Sequence, residues 1–118
     1  MLIHIIIMDE HFRVIPGYEN LYAVSNLGNV KSIKKNTILK PGGKLYPLVG
    51  LSKNNKKVGY TIHQLVAMAF LDHSPNGYNS VIDHIDGNPM NNRLDNLQVV
   101  TQRENIRLGW SRLEKSNT

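Results

Sequence analysis

The sequence predicts an α+β fold, and three observations carry that expectation. Short apolar runs bounded by turn signals such as SNLGN and SKNNKK fill about residues 12–62 and read as strands. Leu65, Val66, Ala69 and Phe70 then recur at helical spacing within HQLVAMAFL, residues 63–71, the period of a helix with one buried face. Further on, Thr101 to Glu104 reads TQRE. This is a capping box, in which a Thr hydroxyl and a Glu three residues later satisfy the open amides of a helix start.

Taken in order, the opening MLIHIII is apolar but has no basic flank and runs into Asp9 and Glu10 without a small-residue cleavage site. A buried strand is expected there rather than a leader, and Met8 is an alternative start to Met1. SNLGN and SKNNKK read as hairpin-type turns, the second lying between the strand-like runs LYPLVGL and VGYTI. After the helix at 63–71, SPNG turns the chain into a strand at Val81–His84. Asp86, Gly87, Asn88 and Pro89 form a dense turn, and Asn91, Asn92, Asp95 and Asn96 a polar loop. Leu97–Val100 is the return strand, and the capped helix begins at Thr101 with Asn105 in its first turn. Beyond Arg107 the chain carries Trp110 and then Ser, Lys, Asn and Thr, and is expected to fray. The expected division is a strand-rich, lysine-rich module over 1–62, a helix and strand–loop–strand–helix (ββα) unit over 63–108, and a tail over 109–118.

Composition narrows the class. At 118 residues the chain is one compact domain. It has no cysteine, which excludes disulfide staples and a thiolate zinc site. No stretch approaches the roughly 20 apolar residues of a membrane span. The net charge of +5 is unevenly placed: between Asn20 and Leu71 there are eight lysines and no acidic residue. Such a block attracts a phosphate backbone through counterion release. Lys31, Lys34, Lys35, Lys53, Lys56 and Lys57 are therefore expected to position double-stranded DNA rather than read its sequence.

The chemistry concentrates in residues 81–105, VIDHIDGNPMNNRLDNLQVVTQREN. Phosphodiester hydrolysis needs a water stripped of its proton and a cation against the charge growing on phosphate and leaving oxygen. Histidine titrates near neutrality, so His84 is the expected general base. Asp83 is its neighbour, and on a strand the two would point to opposite faces, so a twist or bulge has to bring them together. The capped helix returns Asn105 toward Asp83. Carboxylate and amide oxygens are hard donors suited to Mg2+ or Mn2+. Arg93, Arg103 and Arg107 lie near enough in sequence to grip adjacent phosphates. His63, at a strand-to-helix junction, is expected to pack or cap, and His4, His11 and His73 to be structural or surface residues.

This segment resembles the HNH nuclease motif, a ββα-metal site, in its phage and intron homing form. The resemblance implies metal binding by Asp83 and Asn105, general-base catalysis by His84, and a central Asn at Asn96 that holds the loop and helps orient the histidine. Asn92 and Leu97 also fall on positions filled this way in the subgroup. FRVIPGYENLYAVSNLGNVKSI, residues 12–33, resembles the small module that often precedes such motifs, with Phe12 where the family usually has Trp. HQLVAMAFL resembles its lead-in helix, with Gln64 where Arg is common. The implied protein is a phage homing-type DNA endonuclease using Mg2+ or Mn2+ in the cytoplasm of a bacterial host, nicking as a monomer or cutting both strands as a homodimer. The alternatives are a non-catalytic DNA-binding regulator on the same fold and a weakly specific nuclease of phage genome processing.

Overall fold

The computed structural model describes residues 9–74 and 80–116, without the side chains of 112–116. The MLIHIII run and positions 75–77 of the SPNG turn lie outside the described residues. The architecture is α+β, as expected. Strands β1 (Phe12–Val14), β2 (Tyr22–Ser25), β3 (Val30–Ser32) and β4 (Thr37–Ile38) form an antiparallel sheet in sequence order. SNLGN makes the β2–β3 turn, with Gly28 at φ +89, a left-handed backbone that favours glycine.

A separate hairpin follows, β5 (Leu48–Lys53) with β6 (Lys56–Thr61). Asn54 and Asn55, at φ 52 and 63, are its two central residues. Positive φ at both centres matches the twist of the flanking strands, and Asn is among the few residues that tolerate it. Lys53 faces Lys56 and Ser52 faces Lys57, which gathers three lysines at one hairpin tip.

Helix α1 (Ile62–Phe70) starts one residue before the predicted segment, and the ββα unit completes the chain with β7 (Ser80–His84), a 3-10 turn at Leu94–Asn96, β8 (Leu97–Thr101) and α2 (Gln102–Ser116). α2 corrects the sequence reading of a frayed tail after Arg107. Nothing in IRLGWSRLEKS breaks a helix, and the single interior Gly109 costs only about 1 kcal/mol relative to Ala.

One core joins these pieces. Ile15, Val24, Val30, Val49, Leu51, Ile62, Leu65, Val66 and Leu97 form a single buried cluster, so residues on both sides of position 62 share an interior. α1 sits at its centre, against β2, β6 and β8. Burying its Ile62, Leu65 and Val66 is worth roughly 5–9 kcal/mol in gross terms. An exposed ion pair contributes about 1 kcal/mol at most, so apolar packing docks this helix. Among the described residues no helix is long and apolar enough to cross a membrane.

Candidate active site

Asp83 and His84 are the last two residues of β7, paired in unbroken register with Gln98 and Leu97. No bulge intervenes. His84 closes the strand and its carbonyl accepts the Gly87 amide at 2.8 Å, so the pleat gives way to a turn at that point. Both side chains are buried, 3% and 9% exposed, yet both line one open cleft of about 370 Å³ together with Asn105, Tyr46 and His63.

The His84 ring is held on two sides. Its Nε2 lies 2.7 Å from Asn92 Oδ1, a buried contact. Asn92 presents an oxygen there, which can only accept, so Nε2 carries the proton and Nδ1 keeps the lone pair a base requires. The His63 ring meets His84 edge to face at 4.9 Å, and Tyr46 meets His63 at 5.7 Å. Burial, and then the neighbouring His84, push the His63 pKa down to about 4. At neutral pH His63 is therefore an uncharged wall, adding no positive charge beside the base. It packs as the sequence suggests, and Thr61 Oγ1 lies 3.2 Å from its Nε2.

The loop between the strands is braced from inside by Asn96. Its Nδ2 donates to Asp86 Oδ1 at 2.9 Å and to the Asn91 carbonyl at 2.8 Å, and its Oδ1 accepts the Asp86 amide at 3.0 Å. Hydrogen bonds from the Asn91 side chain, the Asn88 amide and Asn96 hold the Asp86 carboxyl below its usual range. The structure corrects one part of the expectation for Asn96. Asn92 is the residue bonded to His84, and Asn96 acts on the turn at Asp86 rather than on the imidazole.

Asp83 and Asn105 supply the cleft's metal-type donors. Asp83 Oδ2 accepts from Gln98 Nε2 at 2.8 Å, which fixes the carboxylate without neutralising it. Asn105 is in the first turn of α2, where Thr101 Oγ1 accepts the Glu104 amide at 3.1 Å as the capping box predicts. The second arm of the box is replaced, because the Glu104 carboxylate turns to Arg107. Among the described residues no three His, Cys, Asp or Glu side chains converge as a metal cage. One carboxylate and one amide oxygen on a common cleft instead fit a hard divalent ion that keeps most of its coordination for water and phosphate.

The predicted DNA-contacting residues are spread differently from this cluster. Lys34 and Lys35 are exposed near the β3–β4 turn, Lys56 and Lys57 at the hairpin tip, and Arg103 on α2. Lys31 lies over the Phe12 ring at 4.3 Å, and Lys53 lies over Tyr18 and donates to the Gly17 carbonyl. Arg93 pairs with Asp95 at 3.5 Å, and Arg107 with Glu104. A larger hollow of about 710 Å³, lined by Tyr18, Lys53, Lys56 and Lys57 among others, shares no residue with the cleft. It holds no histidine, and Asp83, His84 and Asn105 all lie on the smaller one. Sequence reasoning gave no role to Gln98 or Tyr46 and did not connect Asn92 with His84. Gln98 alone had a usable signal, since pairing the two predicted strands across their loop sets it opposite Asp83.

Comparison with known proteins bears on the family and the fold. A family profile described as HNH endonuclease matches residues 60–107, and one described as NUMOD4 motif matches residues 10–65. The chain is 43% identical over 106 residues to DNA endonuclease I-HmuI of Bacillus phage SP01, covering 86% of this chain and 58% of that protein. It is 37% identical over 97 residues to H-N-H endonuclease F-TflII of Escherichia phage T5, covering 80% and 50%. A solved structure of the HNH homing endonuclease I-HmuI, described as one of DNA binding and cleavage, superposes with a TM-score of 0.75 at 39% identity, covering 86% of this chain and 59% of that one. The chain thus spans between half and three-fifths of the length of these relatives.

Proposed function

We propose that the chain, whose residues 60–107 match the HNH endonuclease family and residues 10–65 the NUMOD4 motif, is a metal-dependent DNA endonuclease of phage homing type. One observation carries the reading: Asp83, His84 and Asn105 line a single cleft. A protein that only bound DNA would need none of the three in that arrangement.

His84 Nδ1 takes a proton from water, and the hydroxide oxygen forms a bond to phosphorus as the bond from phosphorus to the 3′ oxygen breaks. Asp83 and Asn105 would hold the divalent ion, which when bound would supply positive charge against the phosphate and the leaving oxygen. Asn92 Oδ1, beside Nε2, favours the tautomer whose lone pair is on Nδ1. Asn96 keeps the Asp86 turn closed behind it. With one such site per chain, a monomer nicks and a pair of chains is needed for a double-strand break. The two relatives named above are phage proteins, and the enzyme would meet its substrate in the cytoplasm of a bacterial host.

Supercoiled plasmid incubated with Mg2+ or Mn2+ is expected to give nicked circles, and EDTA to suppress them. Intact plasmid under all conditions, together with salt-sensitive binding, would favour a regulator. The basic face is tested separately. Changing Lys53, Lys56 and Lys57 to Gln is expected to flatten the salt dependence of DNA binding by up to about 0.9 in log–log slope per lost phosphate contact. The change should fall short of three full contacts, because Lys53 is already engaged with Gly17 and Tyr18. An unchanged slope would remove the hairpin tip from the interface.

A further inference from the structure

The N-terminal module reaches the chemistry through Tyr46 on the cleft wall and, from behind, through the β2–β3 turn. Gly28, in the β2–β3 turn, is so close to Asn92 that a Cβ built on it would lie 3.1 Å from the Asn92 carbonyl oxygen and 3.3 Å from its Cβ. Two residues earlier in the same turn, the Asn26 carbonyl accepts the Leu94 amide at 2.8 Å. The turn thus touches the active-site loop on both sides of Arg93. It is itself rigidly built. Ser25, fully buried, accepts the Leu27 and Asn29 amides at 3.2 and 3.1 Å and donates to Glu10 at 2.7 Å. Asn26, 7% exposed, accepts the His11 amide at 2.7 Å and donates to the Asp9 carbonyl at 3.0 Å. Asn92, 6% exposed, passes the constraint to His84 through its 2.7 Å bond.

We propose that the Ser25–Asn29 turn is a positioning element for the general base, acting through Asn92 on the orientation and tautomer of His84. The proposal rests on the nuclease reading for its catalytic consequence, but its geometric content stands on the contacts alone. It gives the module a second task beside DNA contact. Gly28 allows the approach because it has no side chain: a Cβ there would be tight against the Asn92 carbonyl oxygen and Cβ and would force residue 92 to shift. A module that only gripped DNA could sit anywhere along the duplex, whereas this one is packed into the back of the catalytic site.

The test uses the full chain with Asn92→Ala, Asn92→Asp, Gly28→Asn and the Gly28→Asn/Asn92→Ala double variant. Gly28→Asn is chosen because Asn tolerates the left-handed backbone while still placing a Cβ against Asn92. Nitrogen-15 NMR of the metal-free protein, at a pH where the ring is neutral, reads the His84 tautomer without any cleavage. The wild type and Asn92→Asp are expected to hold one tautomer with the proton on Nε2, and Asn92→Ala and Gly28→Asn to show a mixture. On plasmid, Asn92→Ala and Gly28→Asn are each expected to lose about 10–100-fold in kcat, the usual cost of removing a group that orients a catalytic ligand. KM is expected to stay within a few-fold, and Asn92→Asp to recover most of the loss. The double variant is expected to be no slower than Asn92→Ala, since the proposal has Gly28 reach His84 through the Asn92 amide that Ala lacks.

A His84 tautomer unchanged in Asn92→Ala overturns the proposal, including in the event that Gly28→Asn does not fold. So does a double variant whose loss is the product of the two single losses. If the wild type cleaves no DNA, the nuclease reading fails while the NMR arm still decides whether the turn positions the ring.

Discussion

Replacing His84 with Ala is expected to slow DNA cleavage by about 10²–10⁴-fold, the range a positioned general base contributes, while DNA affinity measured in EDTA stays within a few-fold. The separation follows from where the residue sits. His84 is 9% exposed in the cleft, whereas the lysines expected to hold the phosphate backbone lie in the N-terminal module, most of them about the β3–β4 turn and the tip of the β5–β6 hairpin. One competing effect has to be discounted. The substitution leaves Asn92 Oδ1 buried beside no imidazole donor, at a cost of about 1–3 kcal/mol in stability. Single-turnover cleavage of supercoiled plasmid should therefore be read well below the variant's melting temperature, with a gel shift on the same preparations. A fall in affinity as large as the fall in rate would remove His84 from the role of base.

Much of this site is legible in the sequence because its parts are local. The TQRE box marks the start of α2, and the Thr101–Glu104 bond is present as expected. The two apolar runs at 81–84 and 97–100 pair, and once they pair, Asp83 must face Gln98. The paired asparagines of SKNNKK make the tight hairpin that their tolerance of positive φ suggests. What sequence reasoning cannot reach is the contact between distant segments. Nothing in SNLGN announces that Gly28 will press on a residue sixty-four positions later. Nor does the polar run from Asn88 to Asn96 say which of its asparagines will meet the imidazole. Asn91, Asn92 and Asn96 are alike in chemistry, and only the packed path of the loop turns Asn92 to His84 and Asn96 to Asp86. The length of α2 is hidden for another reason: the polar residues after Arg107 have the composition of a tail, although those residue types are equally compatible with a solvated helix.

Changing Asp83 to Asn is expected to cost on the order of 10³-fold in cleavage, which corresponds to losing several kcal/mol of metal-borne charge stabilisation, and yet not to weaken the metal-free fold. The two effects have one source. Asp83 is 3% exposed, and a carboxylate so far from water carries a desolvation penalty whether or not a cation offsets it. Asn keeps the shape and can still accept the hydrogen bond from Gln98 Nε2 through its amide oxygen, so that bond survives the loss of the charge. In EDTA the variant should melt at or above the temperature of the wild type. Adding Mg2+ or Mn2+ should raise the wild-type melting temperature by linkage, with a gain that grows with the logarithm of ion concentration above the dissociation constant. The variant should show little of that gain. If the ion stabilises both proteins equally, Asp83 is not a ligand and the buried charge serves the fold. If the gain is lost with cleavage while the metal-free melting temperature is kept, the carboxylate is held at the expense of stability for the ion it binds.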